Sequence, residues 1–154
     1  MTAPSINGRR EAIAAALYAM CDAAAAKVVS LKTSSRRLRS FDAVDGAQMP
    51  ALFMTQLPET QERDTIGQPA KRTLHYEFWI YTCDAQADSV IPAQQLNNIV
   101  DAVEAALSPS PLTGAQTLGG LVLSCRIDGS IEYYENVTSD GKSIAAIPVA
   151  VLMP

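Results

Sequence analysis

The chain has 154 residues, a formal net charge of −4, three cysteines and one histidine, with 48% hydrophobic and 18% charged residues. This length suits one domain, residues 1–154, that can bury a core without a disulfide or a metal. The acidic balance argues against tight wrapping of nucleic acid, which needs a basic excess. Residues 1–10 are polar and no apolar run approaches a membrane span, so we predict neither a signal peptide nor membrane insertion.

Two helices are predicted from apolar residues at helical spacing. The first is rich in alanine and runs from about Asn7 to Lys27, with Ser5 or Asn7 as its cap. Its apolar stripe is Ile13, Leu17, Met20, Cys21, Ala24 and Val28. The second runs from about Pro92 to Leu107, with the stripe Leu96, Ile99, Val100, Val103 and Leu107. A linking segment between Val29 and Met49 carries a basic cluster, and part of it could be an edge strand. That cluster consists of Arg36, Arg37 and Arg39.

A long β-hairpin is predicted in the middle of the chain. Its first strand is Ala51 to Leu57, bounded by Pro50 and Pro58. The polar segment Glu59 to Pro69 exceeds the usual hairpin turn, so we interpret it as a projecting arm.

The returning strand lies within Pro69 to Thr82, and its residues alternate between two different faces. One face is largely apolar and should pack on a core. The other carries Thr73, His75, Glu77, Trp79 and Tyr81. This second face is either ordinary half-exposed sheet or a partner surface, because it is too aromatic for plain solvent and too polar for a deep core.

Three further strand segments are predicted in the last part of the chain. Leu121 to Ile127 is followed by a bend at Asp128-Gly129 and by Ile131 to Glu135, and Ser139 to Lys142 is a turn signal. The final strand, Ile144 to Leu152, is apolar on both faces and should be central. The sequence therefore predicts an α+β fold, with two main helices on one face of a mostly antiparallel sheet and a long hairpin arm.

Signatures of catalysis and of metal or cofactor binding are missing from the sequence. His75 is the sole histidine, and no cysteine lies close to it in sequence. The cysteines Cys21, Cys83 and Cys125 are widely spaced and odd in number, which favours free thiols in a reducing compartment. Gly119-Gly120 is not followed by the residues of a phosphate loop. We predict a protein that is not an enzyme and holds no metal or cofactor.

The pieces together resemble a known family, the tail terminator or tail completion proteins of long-tailed bacteriophages. The resemblance covers most of the chain in the same order. It is carried by MPALFMTQLPE (49–59), PAKRTLHYEFWIYT (69–82), LNNIVDAVEAAL (96–107), LGGLVLSCRIDGSIE (118–132) and the terminal SIAAIPVAVLM. The alanine-rich first helix and the arginine-bearing loop after it also fit.

The resemblance implies a structural subunit of the virion neck, assembled in the bacterial host cytoplasm. It implies a homohexameric ring that caps the tail tube, ends tail polymerisation and docks the head–neck connector. The implied partners are other copies of the chain, the tail tube or sheath protein and the connector, with DNA passing through without specific binding. On this reading the interface residues would be Arg36, Arg37, Arg39, Arg63, Lys71, His75, Glu77, Trp79 and Tyr81.

Two other functional hypotheses fit the same residues. Another neck component, such as a head-completion, stopper or connector protein, could share this architecture. A small cytoplasmic ligand-binding domain or enzyme would instead need a pocket with convergent polar groups. The arginine cluster is likewise either solvated loop charge or a surface complementary to an acidic partner.

Overall fold

The computed structural model describes residues 9–84, 91–138 and 141–154. Two helices, α1 (Arg9–Val28) and α2 (Ala93–Ala106), accompany a six-stranded sheet. The strands are β1 (Thr33–Ser35), β2 (Ala51–Glu62), β3 (Lys71–Cys83), β4 (Ser124–Ile127), β5 (Glu132–Tyr134) and β6 (Lys142–Leu152). Two short 3₁₀ turns, Phe41–Ala43 and Gly46–Gln48, lie between β1 and β2.

The sheet is open and mostly antiparallel. Its order is β1-β2-β3-β6-β4, and β5 also pairs with β6, beyond β4. The pairing of β1 with β2 is parallel, and the other pairings are antiparallel. The predicted α+β class is confirmed. The prediction that the last strand is central is also confirmed, because β6 pairs with β3 on one side and with β4 and β5 on the other.

The main core lies between the helices and one face of the sheet. Strand β3 contributes Leu74, Tyr76, Phe78 and Ile80, which lie on one face as the alternation predicts. The apolar stripe predicted for α2 is buried in full, from Leu96 to Leu107. The largest core side chains from the sheet are Leu52, Leu74, Tyr76, Phe78, Ile80 and Ile147.

The buried side of α1 differs from the predicted stripe. Its buried residues are Ile13, Ala14, Leu17, Cys21 and Ala25, nearly all four residues apart. Val28 is half exposed instead, and Ala24 is only partly buried. The prediction was wrong at Val28, and Met20 is partly buried like Ala24. All three residues line an open groove between α1 and α2, because the two helices do not close over them. The predicted caps, Ser5 and Asn7, lie outside the described residues.

The hairpin strands are longer than predicted, and the loop between them is shorter. Strand β2 continues through Pro58 to Glu62, which is the Cα partner of Lys71. The pairing register shifts between Leu57 and Thr60, which absorbs Pro58 in a bulge. Proline is tolerated there because β1 pairs with β2 only as far as Phe53, so that Pro58 lies on an edge. Residues 63–70 form the connection, called the arm below.

The strand predicted from Leu121 begins only at Ser124. Two glycines before it, Gly119 and Gly120, have positive φ values of 73° and 89°, which belong to turns. Leu123 donates its N–H to the Leu152 carbonyl at 3.0 Å, so that the chain reaches the sheet just before β4. Residues 85–90, which follow β3, and the turn residues 139–140 lie outside the described residues.

Candidate functional site

The sheet has a second face, opposite the helices, which we call the open face. The odd-numbered residues of β3 lie on it, and their cross-strand partners continue each row. One row joins Phe53, Trp79 and Ala146, the next joins Thr55, Glu77 and Pro148, and the third joins Leu57, His75, Ala150 and Arg126. Strand pairing therefore turns residues that are far apart in sequence into one continuous surface.

One end of the open face is covered by the chain itself. Residues 41–49 fold over it, and Val44 and Met49 pack there with Phe53 and Tyr81 in a second apolar cluster. Tyr81 is only 3% exposed, and its hydroxyl donates to the Arg39 carbonyl at 2.8 Å. Burial raises the pKa of this phenol. Tyr81, one of the predicted interface residues, is thus in contact with its own chain.

The middle of the open face remains accessible and has unused polar groups. His75, Glu77 and Trp79 are each partly buried. Within the described part of the chain, none of these three side chains makes a hydrogen bond, and the indole nitrogen of Trp79 is buried without a partner. A buried donor without an acceptor is costly, so this part of the face is suited to a neighbour that supplies one.

Basic residues border the other end of the open face. Lys71 and Arg126 line a shallow depression of about 70 Å³, together with Thr73, Ser124, Ala150 and Leu152. Arg126 also lies 3.8 Å from Asp128, and both side chains are largely exposed. The sequence reasoning missed Ser124 and Arg126. The available signal was their alternation with Cys125 and Ile127, but their position depended on the pairing of β4 with β6.

The three arginines of the linking segment do not act as one cluster. Arg36 forms an ion pair with Glu11 on α1, which lowers the pKa of Glu11 and raises that of Arg36. Arg39 donates to the Ala43 carbonyl at 2.7 Å and thereby fixes the first 3₁₀ turn. Arg37 is exposed, and its side chain has no hydrogen bond or ion pair within the described residues.

The arm projects from the end of the hairpin and is polar except at its tip. Residues 63–69 are all exposed, including Arg63, and Ile66 is 100% exposed. The next residue, Gly67, has a φ of 87°, which suits the turn at the tip. Full exposure of an isoleucine side chain to water is unfavourable, so burial of Ile66 against another surface would be favourable.

The base of the arm is held against α1 by an ion pair. Arg10 donates Nε to Oε1 of Glu59 at 2.7 Å and a terminal nitrogen to Oε2 at 3.0 Å. Gln61 donates to the same carboxylate at 2.6 Å. These hydrogen bonds lower the pKa of Glu59 to about 2. The two-pronged contact fixes the direction in which the hairpin leaves the body.

We expect Glu59→Gln to lower the free energy of unfolding by about 0.5–1 kcal/mol at pH 7. The folded pKa of Glu59 lies below the unfolded value of about 4.3, so its contribution is present above that value and disappears as the pH falls toward 2. Urea unfolding at pH 7 and at pH 2.5 should show the difference from the wild type shrinking. Glu62→Gln is the control. An equal difference at both pH values would contradict the ion-pair explanation.

An apolar groove of about 560 Å³ runs between the two helices. Its walls are Met20, Ala23, Ala24, Lys27 and Val28 from α1, and Ala102, Ala105 and Ala106 from α2. Lys27 is the charged residue among them. The alanines keep the walls thin, which leaves room for side chains from elsewhere.

Other kinds of site were considered on the same residues. No group of three or more potential metal ligands occurs in residues 9–84, 91–138 and 141–154. Neither of the helices described is long and apolar enough to cross a membrane. Cys21 and Cys125 are buried free thiols, and burial raises the pKa of Cys125 to about 12 and that of Cys21 further. Thiols in this state are poor nucleophiles.

Comparison with known proteins finds similarity to solved structures. No protein-family model and no curated protein matches the chain. A chain of the virion of a native gene transfer agent particle matches with a TM-score of 0.51 and 13% identity, covering 90% of this chain and 91% of that one. A second solved protein, which has no functional name, matches with a TM-score of 0.54 and 18% identity, covering 94% and 96%. The chain shares this fold over nearly its whole length.

Proposed function

We propose that the protein is a structural subunit of a tailed phage or a phage-like particle and acts as its tail terminator. The observation that carries the proposal is the match to a virion chain over about nine tenths of both chains. Because the match covers nearly the whole of both chains, it supports a likeness of the complete fold rather than of one fragment. The sequence resemblance to tail terminators supports the more specific role.

In this role the protein forms a ring, proposed as a homohexamer, at the junction of head and tail. The ring caps the tail tube, stops further addition of tube subunits and presents its other side to the neck connector. The accessible part of the open face and the arm are the surfaces available for these contacts. Each copy has a net charge of −4, so a ring would repel passing DNA rather than bind it.

The proposed mechanism is recognition rather than turnover. Arg37, Arg63 and Lys71 are exposed cations that can meet acidic groups on a neighbour. His75, Glu77 and Trp79 supply the partly buried polar and aromatic surface that interfaces favour. Arg36, Arg39 and Tyr81 are engaged within the subunit, where they shape the surface around these residues.

Particles assembled without this protein test the function. We expect electron microscopy to show tails that are abnormally long and carry no heads, and expression of the wild-type chain from a plasmid should restore normal particles. Filled heads without tails, beside free tails of normal length, would instead assign the protein to another step in neck assembly. Normal particles would overturn both assignments.

A further inference from the structure

The arm and the groove are complementary surfaces. The tip presents the fully exposed Ile66, and two positions before it lies Asp64, which is also exposed. The groove offers apolar walls and one cation, Lys27, which makes no ion pair within the described residues. An apolar knob beside a carboxylate thus matches an apolar groove beside an ammonium group.

The two surfaces lie at opposite ends of the subunit. The ion pair between Glu59 and Arg10 places the arm's base at the start of α1. From there α1 runs antiparallel to β1 and β2. Glu11, near the start of the helix, contacts Arg36 just after β1, whereas Asp22, farther along the helix, contacts the earlier residue Ser34. The groove begins at Met20 and ends at Val28, and Lys27 lies about 26 Å along the helix from Arg10.

The arm cannot fill the groove of its own subunit. Its tip lies four residues beyond Glu62, a reach of at most about 13 Å. It also continues the direction of β2, away from the C-terminal half of α1. A contact between the two surfaces therefore joins two molecules.

We propose that the arm of one copy docks in the groove between α1 and α2 of the next copy, with Ile66 in the groove and Asp64 beside Lys27. This inference deepens the proposed function, on which the choice of a second copy as partner rests. A knob and a groove on different parts of one chain make a head-to-tail contact, which closes into a ring when the rotation between copies permits and grows into a filament when it does not.

Cysteine cross-linking tests the pairing directly. Ile66→Cys and Ala105→Cys are prepared separately, and both positions are exposed, so the fold should tolerate them. Mixing the two under mild oxidation, with subunits at high concentration and again in assembled tails, should give a disulfide-linked pair of unlike chains. Each variant alone and the wild type are the controls. If the mixed pair forms in neither setting, the docking proposal is overturned, which would leave the groove to a different partner.

Substitutions give a second and independent readout. Ile66→Asp should weaken self-association tenfold or more, by sedimentation, because a buried aliphatic side chain is replaced by a charge. The matched control Ile66→Leu should stay within about twofold. Lys27→Glu and Asp64→Lys should each weaken association, and the double variant should recover it. Unchanged association in Ile66→Asp, or no recovery in the double variant, would contradict the contact.

The two proposals fail in different ways. Mixed cross-links together with normal tails in particles lacking the protein would leave the docking intact and refute tail termination. Abnormal tails in those particles, without mixed cross-links, would support termination and refute this contact.

Discussion

A variant without the arm should fold normally and fail to assemble. Because Glu62 and Lys71 face each other across the hairpin, residues 63–70 can be replaced by Asn-Gly, which favours the tight turn suited to two strands in this register. Every residue of 63–69 is exposed, so the core loses nothing and the midpoint of thermal unfolding should change little. Circular dichroism during heating measures this.

Assembly should respond very differently to the same change. We expect the shortened variant to sediment as a monomer wherever the wild type forms larger species, and to leave tails unterminated when it is the only copy supplied. Gln68→Ala, which keeps the arm, its isoleucine and its charged residues, is the matched control and should retain assembly. Complete rings together with tails of normal length from the shortened variant would rule out a role for the arm.

The largest loss of stability is expected from Phe78→Ala. Phe78 is fully buried at the centre of β3, where it pairs with Met54 on β2 and Ile147 on β6 below the helices. Removing its ring leaves a cavity in the main core, and such changes cost about 3–5 kcal/mol of unfolding free energy. Urea unfolding followed by fluorescence of Trp79 measures the change.

The preceding residue in the strand, Glu77, provides a control for this prediction. The Glu77 side chain lies on the open face and makes no hydrogen bond within the described residues. Glu77→Gln should therefore change the free energy of unfolding by no more than about 0.5 kcal/mol. A loss below about 1 kcal/mol for Phe78→Ala would mean that the main core is not where the structure places it.

The fold could be predicted well where a single element determines the pattern. The alternation of β3 and the stripe of α2 depend on local periodicity, and the structure buries those residues. Prediction was weaker where the burial of a residue depends on how two elements pack against each other. Ala24 and Val28 continue a helical pattern, yet their positions depend on how α2 lies against α1.

The candidate surface could be predicted only in part, for a similar reason. The alternation of β3 identified His75, Glu77 and Trp79, but Arg126 reaches the same surface through the pairing of β4 with β6. Nothing local to Tyr81 indicated that residues 41–49 would fold over it. The groove was missed because its alanines belong to two helices that are distant in sequence, and each looks unremarkable alone.

The central position of β6 has a consequence for how the subunit folds. Thr73 pairs with Leu152, so the sheet's central ladder joins segments that are up to about half of the chain apart, whereas the hairpin of β2 and β3 is local. Closing the longer loop costs chain entropy before its contacts form, so the arrival of β6 should set the folding rate. Substitutions in the arm should therefore leave the folding rate unchanged. The arm's sequence can then change to suit its binding partner without slowing folding.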